Sequence, residues 1–294
     1  MDGINSLVRN LVIRDAWTNY GGSFHVGKDN IKDKKFFAKF KKEIIGKKIV
    51  RAERRAKNIL IHLSDGGIIL IHMKMTGHIL YGNYRFDNKD KKDPWKAESP
   101  APLLDPFNRF VRFILKFSNG KYLALSDMRR FAKVTHIHKS EIEKSKHLEK
   151  IGPEPLPENF TREIFCTRLL MRPNMPVKLA LMNQELIAGI GNIYSDEILW
   201  HSGVLPQRKV SKVTPKEFEA MYKAMKETLK RGIDFGGDSM SDYRNILGEK
   251  GKFQEKHNAY RRTGQKCKKA RCGGIIRRTV LGARSAHFCD THQK

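Results

Sequence analysis

Near the C-terminus Cys267 and Cys272 are separated by four residues, and after sixteen residues without a cysteine come Cys289 and His292. Each pair fits on one short loop, and the spacer GGIIRRTVLGARSAHF is long enough to leave and return as a hairpin. Ile275 and Ile276 near its start, Phe288 near its end and Gly282 at a turn read as two strands joined by a basic tip. Three thiolates and an imidazole suit tetrahedral zinc, and a closed set of four protein ligands makes such a site structural. One structural Zn²⁺ on Cys267, Cys272, Cys289 and His292 is therefore expected. The remaining cysteine, Cys166 in EIFCTRLL, reads as core packing.

Lys and Arg number 58 against 31 Asp and Glu, a formal net charge of +27. That excess goes well beyond what solubility requires and points to a polyanionic partner, nucleic acid ahead of an anionic membrane surface. The longest apolar run, around Ile68 to Ile71, is too short to span a bilayer, and the N-terminus lacks the apolar core of a signal peptide. A monomeric protein of a reducing cytosol is expected, associated with the nucleoid in a bacterium and not with a membrane. The length of 294 residues favours two domains with the metal hairpin as an appendage.

Along the chain, LVIRDAW suggests a strand entering a Gly21-Gly22 turn. From Lys34, apolar Phe36, Phe37, Phe40, Ile44 and Ile45 recur at helical spacing until Gly46. Strand-like runs follow at 48–52, 58–63, 68–73 and 77–81, then at 109–117 and 122–126, making an antiparallel meander. Residues 83–107 form a polar, Lys/Asp/Pro-rich excursion too long for an ordinary hairpin loop. Residues 1–138 thus read as a β-sandwich or barrel. Ser140 with Glu143 offers a capping box for a short helix to Lys150, and IGPEPLPENF marks a linker, 139–160. Helical periodicity then runs through 161–260, most clearly from the capping box Thr214-Pro215-Lys216-Glu217 along Phe218, Met221, Tyr222, Met225 and Leu229 to Gly236-Gly237. Residues 261–294 hold the hairpin.

Two further stretches carry chemistry. In Ala188-Gly189-Ile190-Gly191-Asn192 two glycines allow close backbone approach just before a helix begins, and free amides at a helix start bind anions. In so basic a chain the anion is a phosphodiester, although a tight helix-helix turn without a ligand fits the same letters. Arg129, Arg130 and Phe131 follow a strand, so two cations and a ring lie at a strand-loop edge, suited to a base stack or simply to a solvated Arg pair over a buried ring.

Taken in order, these pieces resemble the formamidopyrimidine-DNA glycosylase/endonuclease VIII family, over most of the chain from about Lys34. The matching motifs are RRAKNILIHL, HMKMTG, MRRFAK, the interdomain IGPEPL, the helix-two-turn-helix LIAGIGNIYSDEILW, and a zinc hairpin with an arginine, Arg284, five residues before the third ligand. The resemblance implies an α+β multidomain fold: an N-terminal antiparallel β-sandwich, a C-terminal helix-two-turn-helix bundle and the zinc-binding β-hairpin. It implies a partner, duplex DNA with a damaged base or abasic site, and an activity in which the damaged base is flipped out, its glycosidic bond cut and the strand nicked by lyase chemistry. Met75, Arg129, Arg130 and Phe131 would meet DNA at the flipped base, with Met75, Arg129 and Phe131 filling its gap. Asn192, Lys178 and Arg284 would grip phosphates, and Lys57 and Arg284 would handle protons during strand elimination. GGDSMSDYRNILGEKGKFQ matches the loop that covers an oxidised purine in the formamidopyrimidine branch, so formamidopyrimidines and 8-oxoguanine are the implied lesions.

Two motifs depart from the family. Its zinc site usually has four cysteines, and its chains open Pro-Glu after the initiator Met, the proline amine attacking the sugar C1′. This chain opens Met1-Asp2-Gly3-Ile4-Asn5. An uncharged amine is still required, and the candidates are the Met1 α-amine, with a reference pKa near 8, and Lys57 or Lys178 with depressed values. A damage- or abasic-site-binding protein with lost or altered catalysis is the competing reading. A zinc-hairpin regulator reading sequence in the major groove is a third.

Overall fold

Strands buried on both faces build the centre of the N-terminal unit. In the computed structural model, which describes residues 2–142, 144–240 and 243–294, the chain runs α1 (Asp2–Val8), β1 (Ile13–Thr18), α2 (Lys34–Ile44), β2 (Ile49–Arg55), β3 (Asn58–Leu63), β4 (Ile68–His72) and β5 (His78–Phe86). It continues through β6 (Trp95–Ser99), β7 (Val111–Phe117), β8 (Tyr122–Ser126) and β9 (Lys133–Ile137). These strands form a five-stranded sheet ordered β1-β7-β8-β5-β6 and a four-stranded sheet ordered β2-β3-β4-β9, with every pairing antiparallel.

Phe113, Leu115 and Phe117 of β7 join Ile59, Ile61 and Leu63 of β3 in one buried core, while Ile114 of β7 and Leu60 of β3 pack into separate clusters on the opposite faces. Because side chains alternate between faces, strands buried on both sides read as unbroken apolar runs. Helix α2 closes one side of the core with Phe40 and Ile44, and Asp33 caps it by accepting from the Phe36 amide. Ile4 and Val8 of α1 add a second, shorter helical stripe.

The structure departs from the sequence reading in three places within this unit. The excursion at 83–107 is partly a hairpin, since β5 runs on to Phe86 and pairs with β6. Strand β9 has no counterpart among the expected strands. The short helix expected up to Lys150 is instead a 3-10 turn, Lys139–Glu141, followed by turns; Lys146 and His147 there bond Asp29, a tertiary contact that competes with helix formation. Glu143, its expected capping residue, lies outside the described residues.

The second unit comprises 150–237 and 252–294. It holds α3 (Arg162–Leu170), α4 (Val177–Met182), α5 (Asn192–Ser202) and α6 (Pro215–Asp234), followed by the hairpin strands β10 (Arg277–Leu281) and β11 (Arg284–Phe288). The Thr214/Glu217 capping box forms in both directions, and Phe218, Met221 and Met225 of α6 are buried among the other helices. Residues 238–251 are not part of this unit, contrary to the expected 161–260 helical domain; they pack with the first. There Arg244, 1% exposed, pairs with Asp105 at 3.0 Å and lies over the Phe107 ring, while the Ile246 carbonyl accepts from the Tyr81 amide. No helix among the described residues is long and apolar enough to cross a membrane.

Candidate functional site

In the N-terminal unit the turn after β8 is built on one buried carboxylate. Asp127, with no exposed surface, accepts from Thr76 Oγ1 at 2.6 Å, Tyr20 Oη at 2.6 Å and the Ala132 amide at 2.8 Å. Burial, then the Asp127 charge, pushes the Tyr20 phenol far above its ordinary pKa, so it stays a donor. The Arg129 amide donates to Thr76 Oγ1, and its guanidinium stacks 4.6 Å from the Phe131 ring centroid and reaches Met75 Sδ at 3.1 Å. Met75 and Phe131 are nonetheless 62% and 47% exposed, an apolar pair held in solvent around a cation. Arg130 does not join them: its backbone is left-handed (φ 59°), and its guanidinium binds the Asn19 carbonyl beside the Tyr20 ring.

Lys57, exposed, lies in the β2–β3 turn, where Ala56 is left-handed (φ 53°) and the Arg54 guanidinium donates to its carbonyl. Pairing of Asn58 with His72 and of His72 with Lys133 brings a basic corner together. Burial, then the charges of Lys74 and Lys57, pushes His72 down to about 4. Its Nδ1 accepts from the Lys74 amide, so the neutral ring carries its proton on Nε2.

In the second unit the α4–α5 turn is stapled by Gln184, which donates to the Met182 and Ile190 carbonyls and accepts from the amide of Gly189. Gly189 takes φ +85°, which favours glycine. Asn192 opens α5 with its Oδ1 buried and without a hydrogen-bond partner.

Behind this turn Lys178 is wholly buried, its Nζ 2.5 Å from Asp196 Oδ1 and 3.2 Å from Ser195 Oγ. Burial pushes its pKa down against the pull of Asp196. The expected direct phosphate grip, and the alternative of amine attack, are not available to an ammonium locked in this pair; Lys178 instead holds the turn from beneath. Asp196 Oδ2 also accepts from the amide and Nδ1 of His287 on β11. Glu197 accepts from the amides of Asn258, Ala259 and Tyr260. Asp196 therefore fixes the hairpin to α5, and the adjacent Glu197 fixes the segment that leads into it. Arg284 starts β11 after a two-residue turn with Gly282 and Ala283 left-handed, exposed and close enough to help depress Lys178.

The metal centre lies at the base of that hairpin. Cys267 Sγ is 3.4 Å and Cys272 Sγ 3.8 Å from His292 Nδ1, and the Cys272 and Cys289 sulfurs are 3.7 Å apart. Tetrahedral zinc with S and N ligands needs edges of about 3.6–3.8 Å, so these four residues fit one structural zinc. Burial opposes ionisation of Cys289, but donation from the His292 and Thr291 amides brings its thiol to about 6. His292 Nε2 bonds the Trp200 carbonyl, which aims Nδ1 at the site. Gly274 must stay a glycine, since a Cβ there would come 2.7 Å from Cys289 Sγ.

Sequence reasoning missed Asp127, Gln184, Asp196 and Glu197, and gave His72 no role. The one available signal was adjacent acids, Asp196-Glu197, followed by the apolar run Ile198-Leu199-Trp200, which is buried acid on a core-facing helix. Met1, a candidate attacking amine, lies outside the described residues.

Three family models match this chain: the formamidopyrimidine-DNA glycosylase N-terminal domain over residues 22–134, its H2TH domain over 151–244, and a zinc finger found in FPG and IleRS over 264–291. The formamidopyrimidine-DNA glycosylase of Pelotomaculum thermopropionicum is 34% identical over 257 residues, 87% of this chain and 85% of that protein. That of Bacillus licheniformis is 34% identical over 256 residues, covering 87% and 84%. The solved complex between Lactococcus lactis Fpg and DNA containing an abasic site superposes with a TM-score of 0.80 at 25% identity, covering 100% of this chain and 96% of that one. By sequence, by architecture and by metal centre, the chain belongs to the formamidopyrimidine-DNA glycosylase family.

Proposed function

We propose that this protein is a base-excision repair glycosylase and abasic-site lyase that acts on oxidised purines, formamidopyrimidines and 8-oxoguanine, in duplex DNA. The observation that carries the reading is the Met75–Arg129–Phe131 cluster: two exposed apolar side chains and a cation, anchored by a buried carboxylate. Exposing such groups is costly unless they meet a partner, and a flipped nucleotide leaves an apolar gap flanked by base faces that they fill. Asn192 with the first amides of α5, and Arg284 at the hairpin tip, take phosphates, whereas Lys178 positions the Asn192 turn. The net charge of +27 supports residence on nucleoid DNA in a bacterial cytosol.

In the reaction an uncharged amine attacks C1′, the bond to the damaged base breaks and a Schiff base forms. Loss of a C2′ proton then expels the 3′ phosphate, and a second elimination releases the 5′ side. Lys57, an exposed residue in the basic corner, and Arg284 handle protons in these steps. With Lys178 buried, Lys57 and the Met1 α-amine remain as candidate nucleophiles. The removal of one candidate amine favours, as second reading, a lesion-binding protein with altered catalysis. The test is incubation with duplexes carrying one 8-oxoguanine or one undamaged guanine. The expected result is nicking of the lesion strand alone, reduced at least about tenfold by Phe131→Ala. Tight lesion binding with no nicking would favour the second reading.

A further inference from the structure

Outside the hairpin, a second set of metal-type ligands meets on the N-terminal unit. Glu43 lies in the last turn of α2, His136 on the edge strand β9 and His138 just beyond it; residues two apart on a strand share a face, so both rings turn toward α2. His136 Nδ1 is 3.0 Å from Glu43 Oε2, and His138 Nε2 is 3.5 Å from Glu43 Oε1. One ligand atom from each of the three residues lies within 4.8 Å of the others. Zinc or nickel with N and O ligands at about 2.1 Å needs edges near 3.4 Å; the two His–Glu distances lie near that value, each through a different carboxylate oxygen.

The hydrogen bonding of His136 points the same way. Its side chain is 4% exposed, and because a carboxylate can only accept, Nδ1 must carry the proton it donates to Glu43. That leaves Nε2 an acceptor, and Nε2 is buried with no partner. It faces Gly67, on the side where Asp65 Oδ1 also lies, and Asp65 is another acceptor. A metal on Nδ1 displaces that proton and moves it to Nε2, which turns this buried nitrogen from an acceptor into a donor beside the Asp65 charge. We propose that Glu43, His136 and His138 bind a divalent transition-metal ion, with the remaining coordination positions open to the cleft lined by Phe36, Lys39 and Ser145. The ion joins the end of α2 to the sheet edge. It competes with Lys39, a weak rival whose ammonium is 3.7 Å from Glu43 Oε1 and 72% exposed.

The test is equilibrium dialysis of the untagged protein, its hairpin zinc in place, against Ni²⁺, with bound metals counted by mass spectrometry. One equivalent of nickel is expected beside one of zinc, with a rise in melting temperature. Glu43→Gln and His138→Ala, both at partly exposed positions, should each weaken nickel uptake at least about tenfold while keeping the metal-free melting profile. His147→Ala, in the same cleft but bonded to Asp29, should leave uptake unchanged. No nickel uptake in the wild type, uptake that survives Glu43→Gln and His138→Ala, or uptake lost only with His147→Ala would each overturn the proposal.

Discussion

Replacing Asp196 by Asn removes one negative charge from a wholly buried position and leaves the Lys178 ammonium unpaired. Breaking a buried ion pair in this way costs about 3–5 kcal/mol. The protein can escape part of that by releasing the lysine proton, and the ceiling follows from the ordinary lysine value of 10.5. At pH 7 deprotonation costs about 5 kcal/mol, at 1.36 kcal/mol per pH unit, and at pH 9 only about 2 kcal/mol. The sign follows from proton counts. In the variant the folded state binds fewer protons than the unfolded chain between the depressed lysine pKa and 10.5, so stability rises with pH across that window. Urea unfolding with zinc present, followed through Trp200 in a Trp17→Phe/Trp95→Phe background, should show a loss of about 3–5 kcal/mol at pH 7 that shrinks to about 2 kcal/mol at pH 9. Adding Lys178→Met to the variant should recover much of it, since no buried charge then remains. A loss below about 1 kcal/mol, or one equal at both pH values, would refute the assignment of Lys178 and Asp196 as a buried charged pair.

Other residues give sharper functional readouts. Asn192→Ala should weaken binding by about tenfold equally on damaged and undamaged duplexes, because a phosphate contact carries no base information; a lesion-selective loss in a binding assay would contradict that role. Arg284→Ala should weaken lesion binding, lower the salt slope of affinity by about one and slow the second strand cleavage; unchanged binding would remove the hairpin tip from the interface. Stripping zinc with a chelator should melt the hairpin and abolish lesion binding, with both restored by one equivalent of zinc, as titration with circular dichroism would show. His72, held neutral by burial to about 4 against an ordinary 6.5, makes folding stability rise with pH between those values and level off above; screening at its partly exposed ring limits the span to about 2 kcal/mol, measurable by urea unfolding from pH 4 to 7.

Helix α2, strands β3 and β8, the α6 capping box and the metal ligands were legible because each rests on local pattern: periodicity, a cap, or ligand spacing. Strand β9 was not, since KVTHI is short, mixed and completed only by pairing with β4. Nor could sequence place 238–251, whose position depends on Arg244 meeting Asp105 across 139 residues of chain. The exposed Met75, Arg129, Phe131 and Arg284 and the half-buried Asn192 sit in motifs and could be named. The buried groups that aim them could not, because Asp127 and Asp196 look like ordinary surface acids until their partners arrive from distant segments. Lys178 shows the same limit in reverse: its motif suggested an exposed phosphate ligand, and only packing reveals the buried pair.

The proposed reaction cuts damaged DNA through an amine covalently joined to the sugar. Borohydride reduction during incubation with abasic-site duplex freezes that linkage, and peptide mapping of the product locates it. A stable protein–DNA adduct is expected on Lys57 or the N-terminal peptide, and none on Lys178. Tight abasic-site binding without an adduct, or an adduct on Lys178, would contradict it.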